Sequence, residues 1–316
     1  MKNKTALITG VAGFIGAELA KSLLKKNYTV VGIDNFLLGR EENVNQIKNM
    51  NGDFFFINYD LSKYEKLENL NQKLKKYSDI DCIWHLAANS DISGSVNALK
   101  TDLENTFFTT LSSGLISEEM KIREMVFSSS SAAVGTVNKK IKEDYGPLLS
   151  ESYYGAMKAA SESYISALKT FMLDKYTIFR FPNVVGKNTT HGIVYDFKTK
   201  LSLKPEFLDV LGDGHQQKPY LYIEDLIDGM HSLKEADHEN RVFNLSPMDN
   251  GIKVKEIAEI AIKHLSPNTV ARYENKPQGW PGDVVKYEYD LEKMKSTGWK
   301  PKYSSRDAIV KCFEKF

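Results

Sequence analysis

Short apolar runs alternate with helical patterns through the first half of this chain. Ala6–Thr9, Tyr28–Ile33, Phe54–Ile57, Cys82–Leu86, Glu124–Phe127 and Thr177–Phe181 are compact and apolar, the texture of strands buried on both faces. Between them, Ala17–Lys26, Tyr64–Tyr77, Leu99–Leu115 and the stretch beginning at Tyr154 place apolar residues at helical spacing, with Tyr64–Tyr77 a charged helix presenting a solvated face. Val242–Leu245 reads as a seventh strand. Strands that alternate with helices predict an α/β fold, a Rossmann-type doubly wound parallel sheet with ligands at its carboxyl edge.

The texture changes after Pro182, where Gly186, Gly192, Pro205, Gly212, Gly214 and Pro219 repeatedly interrupt the pattern. The organisation expected is a dinucleotide-binding domain over residues 1–182, with a returning segment at about 219–247. A smaller C-terminal substrate-binding lobe is expected over 183–218 and 248–316.

Composition narrows the function classes. In 316 residues, 42 Lys and Arg balance 41 Asp and Glu, and no segment concentrates positive charge, so neither nucleic acid nor an anionic membrane surface is expected as a partner. Two cysteines, Cys82 and Cys312, are too few and too far apart for a disulfide framework or a zinc site. His191 and His215 have no partner at metal-ligand spacing, so no metal is expected, and His85 at the end of a buried strand reads as a packed residue rather than a proton shuttle. Lys2 and Lys4 ahead of an apolar run mimic a secretion signal, but the following glycines have phosphate-turn spacing and Glu18 interrupts the run. No apolar run reaches the ~18 residues of a membrane span. A soluble protein of the reducing cytoplasm is expected.

The first strand leads into Gly10, Gly13 and Gly16 and then a helix. That arrangement puts backbone N–H groups at a positive helix terminus, where a pyrophosphate binds. The second strand ends in Asp34, eighteen residues beyond Gly16, with no arginine nearer than Arg40. A carboxylate there accepts hydrogen bonds from the adenosine ribose hydroxyls and repels a ribose phosphate, which points to NAD rather than NADP.

Tyr154 and Lys158 stand four apart in a strong helix former and so share one helical face. A phenol is a poor base at neutral pH. An ammonium about 4 Å away contributes ~4 kcal/mol at an effective dielectric near 20, about three pKa units; desolvation and geometry erode that figure, and an oxidised nicotinamide adds a second positive charge. Tyr154 then takes a proton from an alcohol. The run Ser128–Ser131 at a strand end supplies hydroxyls for the reacting oxygen, with Ser130 the first choice and Ser129 the second.

The ordered set GVAGFIG, the Asp34 strand end, HLAA at 85–88, FSSSSAAVG at 127–135, YGAMKAASE at 154–162, RFPNVVG at 180–186, LGDGHQQKPYLYIEDL at 211–226 and a late GW-x-P spans essentially the whole chain. It resembles extended short-chain dehydrogenase/reductases of the nucleotide-sugar epimerase family. The resemblance implies that Gly10, Gly13, Phe14, Ile15, Gly16, Asp34 and Asn35 hold NAD, with Asp60 and Leu61 near the adenine. It implies that Ala87, Ala88 and Ser128 line the cofactor channel. Ser130, Tyr154 and Lys158 are the implied catalytic set, Lys158 also bonding the nicotinamide ribose. Ser129, Ser130, Asn183, Lys218, Tyr220 and Trp280 are the implied contacts to a nucleotide-sugar substrate. The implied reaction is epimerisation at C4 through a 4-keto sugar. The alternative is a net oxidoreductase, either a keto-sugar reductase or a sugar dehydrogenase. A homodimer packed through Leu99–Leu115 and Tyr154–Leu173, and a place in cell-surface polysaccharide synthesis, follow from the same likeness. Three departures mark this chain. Ser131 and Ala132 replace the Asp-Glu pair of dehydrating relatives, and Val134 replaces a common tyrosine. Lys218 stands where an arginine is usual, and NKPQGWPGD at 275–283 lacks the later arginine. Lysine meets a phosphate as a point charge, without the bidentate fork.

Overall fold

The computed structural model describes residues 3–77, 79–91, 99–238, 241–279 and 284–314. Two compact units partition the chain: the first comprises residues 1–133, 152–179 and 238–242, the second 134–151, 180–237 and 243–316. Of residues 219–247, 238–242 cluster with the first unit and the others with the second.

In the first unit, strands β1 (Thr5–Thr9), β2 (Thr29–Asp34), β3 (Phe54–Asn58), β4 (Ile80–His85), β5 (Glu124–Ser130) and β6 (Lys175–Phe181) form one sheet with the strand Val242–Asn244. The order across it is Val242–Asn244, β6, β5, β4, β1, β2, β3. β1 pairs in parallel with both β2 and β4, β2 with β3, and β4 with β5. Chain order therefore reverses between β1 and β4, the switch point where crossovers leave on opposite faces and open a crevice at the carboxyl ends. The expected doubly wound parallel sheet is what forms.

All five residues of β1 are buried, as an apolar strand covered on both faces requires. The core joins Leu7, Val31, Ile33, Ile83 and Phe127 from the sheet to Leu67, Leu70, Leu74, Ile116 and Ile165 from the helices. Helices α1 (Phe14–Lys25), α2 (Glu41–Lys48) and α3 (Leu67–Leu74) follow β1, β2 and β3. The charged stretch expected as a helix over 64–77 is a short 3₁₀ turn, Tyr64–Lys66, and then α3. Its three leucines at positions 67, 70 and 74 are buried, so it is amphipathic rather than wholly solvated. The helix expected over 99–115 runs further, as α4 (Leu99–Asp102), a π-helical stretch Leu103–Phe108 and α5 (Thr109–Met120). β5 extends beyond Phe127 through the serines, because Ser128 and Ser129 are buried between neighbours rather than looped out. Helix α6 (Tyr153–Phe171) is capped by Ser152, whose hydroxyl accepts from the Gly155 N–H at 3.1 Å.

The second unit holds α7 (Ile193–Leu203), α8 (Ile223–Lys234), α9 (Val254–Leu265), α10 (Glu292–Ser296) and α11 (Ser305–Phe313), with small two-stranded sheets. Among the described residues no helix is long and apolar enough to cross a membrane.

Candidate active site

The turn between β1 and α1 is built by contact. Gly10 adopts φ +76°, and a Cβ there would lie 2.8 Å from the Ala87 nitrogen. A Cβ on Gly16 would overlap the Gly10 carbonyl oxygen and lie 2.9 Å from the Val11 Cα. Gly13 caps α1 in an extended conformation with no side chain in the way, and the first intrahelical bond runs from the Ala17 N–H to the Gly13 carbonyl at 3.0 Å. The N–H groups of Phe14, Ile15 and Gly16 thus lead the helix with no intrahelical acceptor. A cradle that any side chain would fill, at a positive helix end, fits a dinucleotide pyrophosphate.

Asp34 ends β2 half-buried. One carboxylate oxygen accepts from the Ala12 N–H at 2.9 Å and the other from the Phe36 N–H at 2.8 Å. Burial raises its pKa above the usual carboxylate value, and the backbone donors oppose that rise. Each oxygen keeps acceptor capacity for a ribose hydroxyl. Asn35 reaches Asp60, its amide 3.2 Å from a carboxylate oxygen. Leu61 is buried, its carbonyl accepting from Ser112 at 2.6 Å. Ala87 follows β4, with its N–H 3.3 Å from Thr9 Oγ1 and its carbonyl accepting from Thr109 at 3.0 Å, and Ala88 is next to it. The cofactor set expected from sequence therefore shares the carboxyl edge of one sheet.

The residues expected from sequence to react lie at the same edge. Tyr154, in the first turn of α6, is buried and hydrogen-bonded to the Ser130 hydroxyl. Lys158, one turn on, is 2 % exposed and donates to the Ser128 carbonyl at 2.6 Å. Its Nζ lies 4.6 Å from the Phe127 ring centroid and 5.7 Å from that of Tyr154. Ser129, on the same strand end, donates to Glu162.

These positions correct the electrostatics expected from spacing alone. Burial pushes the Tyr154 phenol above its ordinary pKa; the Ser130 hydrogen bond opposes the rise and the buried Asp102 carboxylate adds to it. Lys158 donates to the Ser128 carbonyl, and burial drives its own pKa down to about 7 against the pull of Glu162, so its charged form has to work against the desolvation of both groups. Desolvation outweighs the pairwise attraction.

His85 is a packed residue. Its Nδ1 meets Thr9 Oγ1 at 2.8 Å and Ser113 Oγ at 3.2 Å, and its Nε2 meets Thr110 Oγ1 at 2.9 Å. Thr110 in turn meets Ser161 of α6 at 2.9 Å. Burial, with the nearby Lys158 charge, lowers the imidazole to about 3 and keeps it neutral.

In the second unit, Asn183 begins the strand Asn183–Val185 and is the register partner of Tyr220. Asn183 is exposed, whereas Tyr220 is 4 % exposed and its N–H donates to the Ser305 hydroxyl at 3.1 Å. Lys218 is half-buried opposite Ile252. Trp280 lies outside the described residues. Sequence reasoning passed over Glu162, Asn89 and Asp102. Glu162 repeats the four-residue spacing of Tyr154 and Lys158, and Asn89 donates to Asp102 at 2.8 Å across thirteen residues that carry no local motif.

A doubly wound sheet with a glycine cradle at its first turn, a carboxylate ending its second strand and a Tyr-Lys pair beside a serine defines a dinucleotide-dependent enzyme that moves a proton at a substrate oxygen. Residues 6–246 match the NAD dependent epimerase/dehydratase family, and the chain belongs to it. It is 27 % identical over 308 residues to a putative UDP-glucose 4-epimerase of Methanocaldococcus jannaschii, covering 96 % of this chain and 95 % of that one. It is 28 % identical to UDP-glucuronic acid decarboxylase 1 of Arabidopsis thaliana, over 100 % of this chain and 70 % of that one. A crystal structure of a UDP-galactose 4-epimerase superposes with a TM-score of 0.83 at 29 % identity, covering 98 % of this chain and 97 % of that one.

Proposed function

We propose that this chain inverts C4 of a nucleoside diphosphate sugar through a transient 4-keto sugar, with NAD retained between half-reactions. The observation that carries the reading is the single edge of the first unit at which the glycine cradle, Asp34, Ser130, Tyr154 and Lys158 converge. NAD, when bound, supplies a reversible hydride acceptor for the sugar carbon; Gly10, Gly13, Phe14, Ile15 and Gly16 would hold its pyrophosphate and Asp34 its adenosine ribose. Tyr154 takes the proton from the C4 hydroxyl and returns it. Ser130, already bonded to the phenol, hands that proton a short path and orients the sugar oxygen. The charged form of Lys158 stabilises the phenolate.

Ser131 and Ala132 follow Ser130, so no carboxylate stands there to protonate a leaving hydroxyl or assist decarboxylation. That supports epimerisation over the lyase chemistry found among relatives. Asn183, Lys218, Tyr220 and Trp280 are the proposed substrate contacts, and the second unit the proposed substrate lobe. The reading includes a homodimer packed through α4, α5 and α6, supported by Leu99 at 58 % and Phe171 at 83 % exposure on those helices, and a cytoplasmic setting.

Proton NMR of the purified enzyme with a panel of UDP-, GDP-, CDP- and dTDP-sugars and no added coenzyme tests it. One substrate converting to an equilibrium pair of C4 epimers supports the proposal. Turnover that appears only when NAD(P)⁺ or NAD(P)H is added replaces it with a net oxidoreductase.

A further inference from the structure

Three consecutive residues of β5 each engage a different residue of α6. The Ser130 hydroxyl bonds Tyr154, the Ser128 carbonyl accepts from Lys158, and the Ser129 hydroxyl donates to Glu162. Tyr154, Lys158 and Glu162 recur every four residues and so lie along one helical face. Glu162 is 6 % exposed and Ser129 is 1 % exposed. A carboxylate buried that deeply on a helix is costly unless it is paired and hydrogen-bonded.

We propose that Glu162 is a positioning residue: its carboxylate fixes the β5 serine run in register with the α6 face and supplies the negative charge beside the Lys158 ammonium. This rests on the epimerase reading. Truncating the bond to Ser129 frees the strand end that carries Ser130, and neutralising the carboxylate removes the anion that acts on the Lys158 ammonium. Among the described residues, the groups acting on Lys158 are Glu162 and Tyr154 on its own helix, the Ser128 carbonyl and Phe127 ring of β5, and His85 of β4, which burial keeps neutral. Asp102 of α4, bonded to Asn89, acts on Tyr154. Glu162 is thus the anion on the lysine side of the pair.

The test is the pH profile of kcat for Glu162→Gln and Ser129→Ala. Glu162→Gln keeps the shape and an acceptor for Ser129 but removes the charge. The lysine then loses its proton at lower pH, so the alkaline limb of kcat moves down by about one to two pH units, the effect of one charge about a helical turn away at an effective dielectric near 20. KM stays within about twofold while kcat at about pH 8 falls roughly tenfold. Ser129→Ala lowers kcat without moving the limb. An unmoved limb in Glu162→Gln overturns the proposal. A second measurement needs no turnover: the coupling between Glu162→Gln and Lys158→Met in urea unfolding. It is expected to be large at about pH 6 and to shrink at about pH 9.5, where the lysine is neutral; equal coupling at both overturns the proposal. A wild type that epimerises no sugar would defeat the functional reading, and the unfolding cycle would still decide whether Glu162 faces the lysine charge.

Discussion

The environment of Lys158 strongly opposes its ordinary charge, and the opposition is measurable as stability. Its ammonium is fully buried, and desolvation lowers it from 10.5 to about 7 in spite of Glu162. The folded value lies below the unfolded one. Between the two, the unfolded chain holds a proton that the folded chain has released, so stability rises with pH across that window. Below about 7 the whole penalty is present; above 10.5 it has vanished. The interval between the two values corresponds to about 5 kcal/mol, a large share of the ~5–15 kcal/mol that holds a typical domain together. About 3 kcal/mol of it is regained between about pH 7 and about pH 9.5. Lys158→Met removes the titrating group and leaves a side chain of similar length. Urea unfolding of NAD-free wild type and variant across that range compares the two, and titrating groups not coupled to Lys158 cancel in the difference. The wild type should gain about 3 kcal/mol on the variant as the pH rises. Parallel curves would refute the reasoning, because they would mean that the buried nitrogen is solvated in the folded chain.

Tyr154→Phe should lose about a hundredfold or more in epimerisation rate while unfolding at nearly the wild-type temperature, since the ring packing stays and one hydrogen bond to Ser130 goes; a rate within about tenfold of wild type would remove Tyr154 from its role. Gly16→Ala drives a methyl into the Gly10 carbonyl and should cost about 1–3 kcal/mol in unfolding and at least about tenfold in NAD affinity by calorimetry. Gly13→Ala, whose Cβ would sit 3.2 Å from the same oxygen, should be milder, and equal losses for the two would contradict the contact argument. His85 titrates at about 3 in the fold against an ordinary 6.5, so wild-type stability should fall as acid brings the pH through that interval. His85→Gln should flatten that slope in acid unfolding; an unchanged slope would place the acid sensitivity elsewhere.

Much of the site was legible because its parts are local. A glycine turn, a carboxylate ending a strand and a Tyr-x-x-x-Lys pair each depend on neighbours within a few residues, and chain order alone puts them at strand ends. The strand and helix boundaries drifted for a physical reason. Ser128 and Ser129 look like loop residues by polarity, yet β5 continues through them because His85, Lys158 and Glu162 satisfy their polar groups inside the fold. Leu67, Leu70 and Leu74 were masked by the charges between them until burial showed which face they share.

What the sequence by itself determined was the strand–helix alternation and the doubly wound sheet, since hydrophobic period fixes those, together with the residues proposed here to react. What only the tertiary structure decided was the charge state of those residues. Spacing suggested that Lys158 would acidify Tyr154. Packing instead commits the ammonium to the Ser128 carbonyl and sets Glu162 against Ser129, and it raises the phenol by burying it beside Asp102. Desolvation depends on every atom that closes over a group, and those atoms come from β4, β5 and α4, far apart in the chain and adjacent only once it has folded.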